Sequence, residues 1–252
     1  IGSIDTYIDD TSSQGSFSYA VTGDGSESFE VVNGELKLKD GVSLNFETKN
    51  SYELTVTATD TSGVNLSTAF TITINDMNDA PTLVNAIADQ NVAEDSALSF
   101  TVPADAFNDE DGDTLTYTAT LSDGSALPSW LSFDAATQTF SGTPLNGDVG
   151  SITVEVTATD TAGLAINDTF SITVANTNDA PTEIALSATA IDENAAGAVV
   201  GTLSTTDVDA GDTHTYELSG TDAASFEVVN GELKLKGSAD YETKNSYSVT
   251  VT

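Results

Sequence analysis

Residues Ser51–Asp60 read SYELTVTATD, and one hundred residues later Ser151–Asp160 read SITVEVTATD. In the first stretch Tyr52, Leu54 and Val56 alternate with Glu53, Thr55 and Thr57. That period of two is what a strand with one buried and one solvated face requires. The same alternation runs through Phe70–Ile74, Thr114–Ala119, Phe170–Val174 and Ser246–Val251, and no window carries a helical stripe. Asn33-Gly34 and Asn230-Gly231 sit between apolar runs, where a two-residue hairpin turn with positive φ favours Asn-Gly. Short strands rich in Thr, Ser and Val, with turn signals about every ten residues, predict antiparallel β-sandwiches.

The repeat extends beyond these strands. NDAPT occurs at Asn78–Thr82 and at Asn178–Thr182, again 100 residues apart, and SFEVVNGELKLK occurs at Ser28–Lys39 and Ser225–Lys236, 197 apart. Self-similarity at a fixed period implies tandem modules. The spacing predicts three, over 1–80, 81–180 and 181–252, in an all-β chain. The first is expected to lack its beginning and the third its end, as in an excised piece of a longer polypeptide.

The charge balance narrows the function. Six basic residues, all lysine, face 40 acidic ones, a formal net charge of −34. A chain this acidic has no footprint for nucleic acid or for an anionic membrane face. Without arginine it also lacks the bidentate forks that recognise phosphate and carboxylate. The absence of cysteine removes disulfides, thiolate zinc sites and cysteine catalysis. A single His with no convergent base does not assemble a nucleophilic hydrolase, so the chain is not expected to be an enzyme. No apolar run approaches membrane-spanning length, so membrane insertion is not expected. Trp130, among Leu127, Leu131 and Phe133, reads as a core residue, and His214 as a lone histidine without a metal role.

The acidic residues gather near module ends. Asp76-Met77-Asn78-Asp79 closes the first module, and Asp109-Glu110-Asp111-Gly112-Asp113 follows in the second. Several carboxylates meeting at one point repel unless a cation with six to eight oxygen ligands sits among them, which is the preference of calcium rather than of magnesium. An EF-hand is excluded, because the glycine of DEDGD falls at the fourth position and the twelfth residue is Thr120.

The combination of motifs is more specific than any one. DMNDAP at Asp76–Pro81, IDEN at Ile191–Asn194, DVDAGD at Asp207–Asp212, and LNFE at Leu44–Glu47 with ADYE at Ala239–Glu242 make the first and third modules resemble cadherin repeats. The middle module, with LPSWLSFDAATQTFSGTP at Leu127–Pro144, is similar to the dystroglycan-type cadherin-like domain. The arrangement resembles the tandem repeats of bacterial, RTX-type surface adhesins. The resemblance implies Greek-key, immunoglobulin-like sandwiches in an elongated rod, stiffened by up to about three Ca2+ ions per linker. At the first junction it implies Glu47, Asp76, Asn78, Asp79, Asp109, Asp111, Asp113 and Asp160 as ligands. At the second it implies Glu94, Asn176, Asn178, Asp179, Asp207, Asp209 and Asp212, with Asp148 as a substitute for a glutamate the middle module lacks. Asn176 stands where the linker aspartate is expected, so the second junction is expected to hold fewer or weaker ions. The function implied is that of a calcium-rigidified, extracellular extender on the cell surface, projecting a ligand-binding region as a monomeric rod. Three modules would reach on the order of 120 Å. The alternative is a calcium-dependent carbohydrate-binding or homophilic module, with surface glycans or other adhesin chains as partners.

Overall fold

Asn33 (φ 52°) and Gly34 (φ 79°), like Asn230 (φ 51°) and Gly231 (φ 77°), hold the left-handed pair that a tight hairpin needs. Each closes a hairpin, Phe29–Val32 with Glu35–Leu38 and Phe226–Val229 with Glu232–Leu235, in the same register: Val32 faces Glu35 and Val229 faces Glu232. The computed structural model describes residues 2–3, 16–209 and 211–252. Ala210, inside the DVDAGD motif, therefore lies outside the described residues. So do 1 and 4–15, at the start of the first expected module. Apart from three single 3-10 turns, every regular element among the described residues is a strand. No helix among them is long and apolar enough to cross a membrane.

The chain divides into two compact units, one of Ile1–Ala86, Pro103–Thr118 and Val156–Asp168, the other of Ile87–Val102, Ala119–Glu155 and Thr169–Thr252. In the first, Ser51–Thr59 pairs antiparallel with both Ser18–Gly23 and Asn65–Thr73, and Glu35–Leu38 pairs with both Phe29–Val32 and Gly2–Ser3. The alternation read from the sequence puts Tyr52, Leu54, Val56 and Ala58 inward and buried. Phe29 and Leu36 meet them from the hairpin, Phe29 edge-on to Tyr52 with ring centres 5.3 Å apart. Thr82–Leu83 then pairs with Phe107–Asn108, with Asn108 opposite Thr82. That register lays Asp109 and the residues after it beside the Asn78–Pro81 linker.

In the second unit, Leu98–Thr101, Thr139–Gly142 and Leu131–Asp134 form a sheet whose inner face supplies Phe100, Phe133 and Phe140. Phe140 is fully buried and touches Phe133, Phe100 and Phe170, with ring centres 4.6, 6.3 and 5.6 Å away. Gly142 admits no side chain, since a Cβ there would lie 1.8 Å from the carbonyl oxygen of Trp130. Trp130 itself is half-buried rather than part of the core. Gln90–Ala93 runs parallel to Ile172–Ala175, Ala93 facing Ala175, which sets Glu94 beside Asn176. Glu183–Leu186 pairs with Val199–Thr206, Glu183 facing Thr206, which sets Asp207 beside the second linker. A further core holds Phe226, Leu233, Leu235 and Ala239.

One predicted strand is shorter than expected. Of Ser246–Val251 only Thr250–Val251 forms a strand, paired with Leu218–Ser219. Its counterpart Ser51–Thr59 is held from both sides, whereas this segment has one short partner.

Replacing Phe140 with Ala should cost about 3–5 kcal/mol, because it leaves a cavity among three other rings. Leu145→Ala, at an exposed position, should change stability by less than about 0.5 kcal/mol. Denaturant unfolding followed by the fluorescence of the sole tryptophan, Trp130, measures both. Equal effects would contradict the packing described.

Candidate metal centres

Strand ends deliver the acidic residues to two places, each inside one unit. In the first unit the backbone N–H of Ile74 donates to the carbonyl of Asn50, which starts the linker beside the loop carrying Asn45 and Glu47. Carboxylate oxygens of Glu47, Asp76 and Asp111 then lie within 4.8 Å of one another. The Asp109 side chain folds the following loop, its Oδ1 accepting the N–H groups of Asp111 and Asp113 at 3.1 and 3.2 Å. Its Oδ2 is buried with no hydrogen-bond partner, as is Oδ1 of Asp111. The other oxygen of Asp111 accepts the N–H of Asp79 at 2.6 Å. Asp160, 5% exposed, accepts the Asn78 amide at 2.8 Å and the N–H of Leu164.

The second unit repeats the plan. Glu94, Asp179 and Asp209 bring carboxylate oxygens within 4.8 Å of one another, and Asp207, Asp209 and Asp212 form an adjoining group. Glu94 is 1% exposed; its Oε1 accepts the N–H of Thr177 at 2.7 Å, and its Oε2 has no partner. Asp209, 7% exposed, accepts the Asn176 amide at 2.8 Å and the N–H of Asp179 at 2.5 Å. Asn178 donates to the carbonyl of Asp179, as Asn78 does to that of Asp79.

Not every expected ligand joins a group. Asp148 is captured locally, its Oδ2 accepting the N–H of Leu145 at 2.9 Å across the turn Asn146–Asp148, and lies in neither cluster. The Asp113 carboxylate accepts the Thr161 hydroxyl at 2.6 Å, and Asp79 enters the first site through its N–H rather than its carboxylate. A third group, Glu193 with Asp240 and Glu242, is exposed and was not among the expected ligands. The signal for it was present, since Glu242 is the counterpart of Glu47 in the LNFE and ADYE motifs. His214 stands 3.8 Å from Asp207 and in none of the groups.

The electrostatics are those of charge without countercharge. Among the described residues the lysine ion pairs are made with Glu30, Asp40, Asp24, Glu232 and Asp222, and none reaches a cluster. Burial, then the charges of Asp95, Asp209, Glu94 and Asp207, hold the Asp179 carboxyl above its ordinary range. A backbone N–H draws Glu47 down, but burial and the charges of Asp76 and Asp111 outweigh it and leave it raised. Asp160 is held low by the Asn78 amide and by the N–H groups of its own loop, and Asp209 by the N–H of Asp179 and the Asn176 amide. A buried carboxylate oxygen facing nothing is costly. A hard cation with oxygen ligands would satisfy Glu94, Asp109 and Asp111 together with the exposed carboxylates around them.

The model of the family described as "Putative Ig domain" matches residues 80–175. The chain is 30% identical over 260 residues to "Cadherin-related family member 2" of Mus musculus, covering 91% of this chain but only 20% of that protein. It is 37% identical over 118 residues to "Serine-rich adhesin for platelets" of Staphylococcus aureus (strain USA300), covering 46% of this chain and 5% of the adhesin. Among solved structures, mouse Cadherin-23 EC22-24 aligns with a TM-score of 0.71 at 18% identity, over 97% of this chain and 82% of that one. Protocadherin Gamma B7 extracellular domains 1-4 align at 0.66 and 21%, over 96% and 68%.

The raised and lowered groups give opposite pH effects in metal-stripped protein. For Glu47 and Asp179, whose folded values are raised, ionisation costs stability, and protonation just above the ordinary carboxylate range relieves the cost. For Asp160 and Asp209, whose folded values are lowered, the stabilisation is present above their unfolded values and is lost as pH falls below that range. Thermal melts of stripped protein should therefore rise from neutral pH to a maximum on its acid side and then fall. A steady decline from neutrality would contradict this balance. The sheet registers and the structural alignments together give this chain the fold of tandem cadherin-like, immunoglobulin-like β-sandwich repeats.

Proposed function

We propose that this chain is a calcium-binding segment of an extracellular adhesin, an extender whose junctions are stiffened by Ca2+, and that it has no catalytic activity. One observation carries the reading. Among the described residues, the buried side-chain oxygens without a hydrogen-bond partner, Glu94 Oε2, Asp109 Oδ2 and Asp111 Oδ1, all belong to the two carboxylate sites or adjoin them. Oxygen-only donor sets that combine carboxylates and carbonyls suit calcium, which accepts irregular cages of six to eight oxygens. Magnesium, with its tight octahedron and retained waters, fits such a loop-built set less well.

In this reading Glu47, Asp76, Asp109 and Asp111 hold ions at the first junction, and Glu94, Asp179, Asp207, Asp209 and Asp212 at the second. Bound calcium supplies the positive charge that the sequence withholds. The chain's own residues do the positioning: the Asp109 side chain shapes its loop, and the N–H groups of Thr177 and Asp179 orient Glu94 and Asp209. The similarity to a staphylococcal adhesin supports a bacterial, secreted, surface-attached host protein. The extender acts as a monomeric rod, with the ligand-binding region elsewhere. Binding of surface glycans or of other adhesin chains by these modules ranks second, because Trp130 is half-buried and its carbonyl packs on Gly142.

Small-angle scattering with calcium and then with a chelator tests the stiffening. The reading expects a single extended form with calcium and a broader, shorter distribution of dimensions without it, and Asp111→Asn should loosen the chain even with calcium. An unchanged maximum dimension on chelation would overturn it.

A further inference from the structure

Two asparagines stand where the repeats elsewhere carry aspartate. Asn176 lies 100 residues beyond Asp76, and Asn45 is the counterpart of Asp240. At both, the side-chain NH2 points at a carboxylate of the following module. Asn176 Nδ2 is 2.8 Å from Asp209 Oδ1, and Asn45 Nδ2 is 3.1 Å from Glu110 Oε1. An ionised carboxylate only accepts and only the NH2 end of an amide donates, so these contacts fix which way each amide faces.

Aspartate at either position would set oxygen against oxygen, with like charge. Such a pair stays close only with a cation between, and Asp76, grouped with Glu47 and Asp111, is in that situation. Asp209 is not. Asn176 satisfies one of its oxygens and the N–H of Asp179 the other, so the amide does at that oxygen what an ion would otherwise do. At Asn45 the exchange leaves the local turn intact. Its Oδ1 accepts the N–H of Thr48 at 2.6 Å, as Asp240 accepts that of Thr243. Only the outward end of the side chain differs, from acceptor to donor.

We infer that Asn176 and Asn45 are amide clasps: each satisfies one oxygen of a junction carboxylate by a direct hydrogen bond, so that the junction stays ordered with fewer cations, and neither is itself a cation ligand. The inference rests on the cation-binding reading above for its effect on calcium, but the clasp itself exists without any ion. Asn176, in a partly buried contact, carries the larger share.

The test uses the whole chain with Asn176→Asp and Asn176→Ala. Hydrogen exchange of peptides covering the second linker is measured in chelator, and calcium binding by calorimetry. In chelator both variants should exchange faster than the parent at the Asp179 amide, with Asn176→Asp the faster because it adds repulsion. With calcium, Asn176→Asp should recover protection and bind about tenfold more tightly or take up an additional ion, while Asn176→Ala should bind as the parent does. Unchanged exchange in chelator would overturn the clasp. So would a loss of calcium affinity in Asn176→Ala as large as that in Glu94→Gln, which would make Asn176 a ligand. If the parent binds no calcium at all, the cation-binding reading fails, and exchange in chelator alone still decides for or against the clasp. Exchange of the Phe140 and Leu54 amides, far from the linker in sequence, reports whether each variant is folded.

Discussion

Carboxylates can be brought together in a folded protein only if something offsets their repulsion and the loss of their water, and in this chain the protein offers little that could. Six lysines face 40 acidic residues, and among the described residues the lysines that form ion pairs do so away from the junctions. What remains is a small set of N–H and amide donors, and these are used to the last one at Asp209 and Asp160. At Glu94, Asp109 and Asp111 they run out, leaving one buried oxygen on each. Such a deficit costs on the order of 1–3 kcal/mol per group or more.

The sandwiches exist, in this account, to hold that deficit at defined points. Short pairings set the register: Asn108 opposite Thr82 and Glu183 opposite Thr206 bring each acidic loop against its linker, and Ala93 opposite Ala175 brings Glu94 to the second. Cores of ordinary apolar residues fix those registers, because a slip by one residue would turn Phe107, Leu203, or Ile172 and Val174 out to solvent. The carboxylates shape their own loops, as Asp109 does through the N–H groups of Asp111 and Asp113, but each oxygen left without a partner works against folding.

Much of this was legible in the sequence because it rests on local rules. Alternation in SYELTVTATD, Asn-Gly turns and a repeat of 100 residues are enough for an all-β tandem fold, and the family resemblance implied Glu47, Asp76, Asp111, Glu94, Asp179 and Asp209, which the structure groups in two clusters. The rest depended on competition that spacing does not reveal. Asp148 is the right type near the right place, but a neighbouring N–H three residues away captures it. Asp113 is likewise taken by the Thr161 hydroxyl, which is distant in sequence. Asn176 was read as a ligand standing where an aspartate is expected, and only the direction of its amide, pointing its NH2 at Asp209, reveals it as a donor.

The central claim, that cations complete these carboxylate sites, is tested most directly by crystals grown with calcium and anomalous diffraction data collected at long wavelength. Anomalous peaks are expected between Glu47, Asp76 and Asp111 and between Glu94, Asp179 and Asp209, each within coordination distance of the oxygens that otherwise face nothing. Clusters without a peak, their oxygens bonded to water alone, would contradict it.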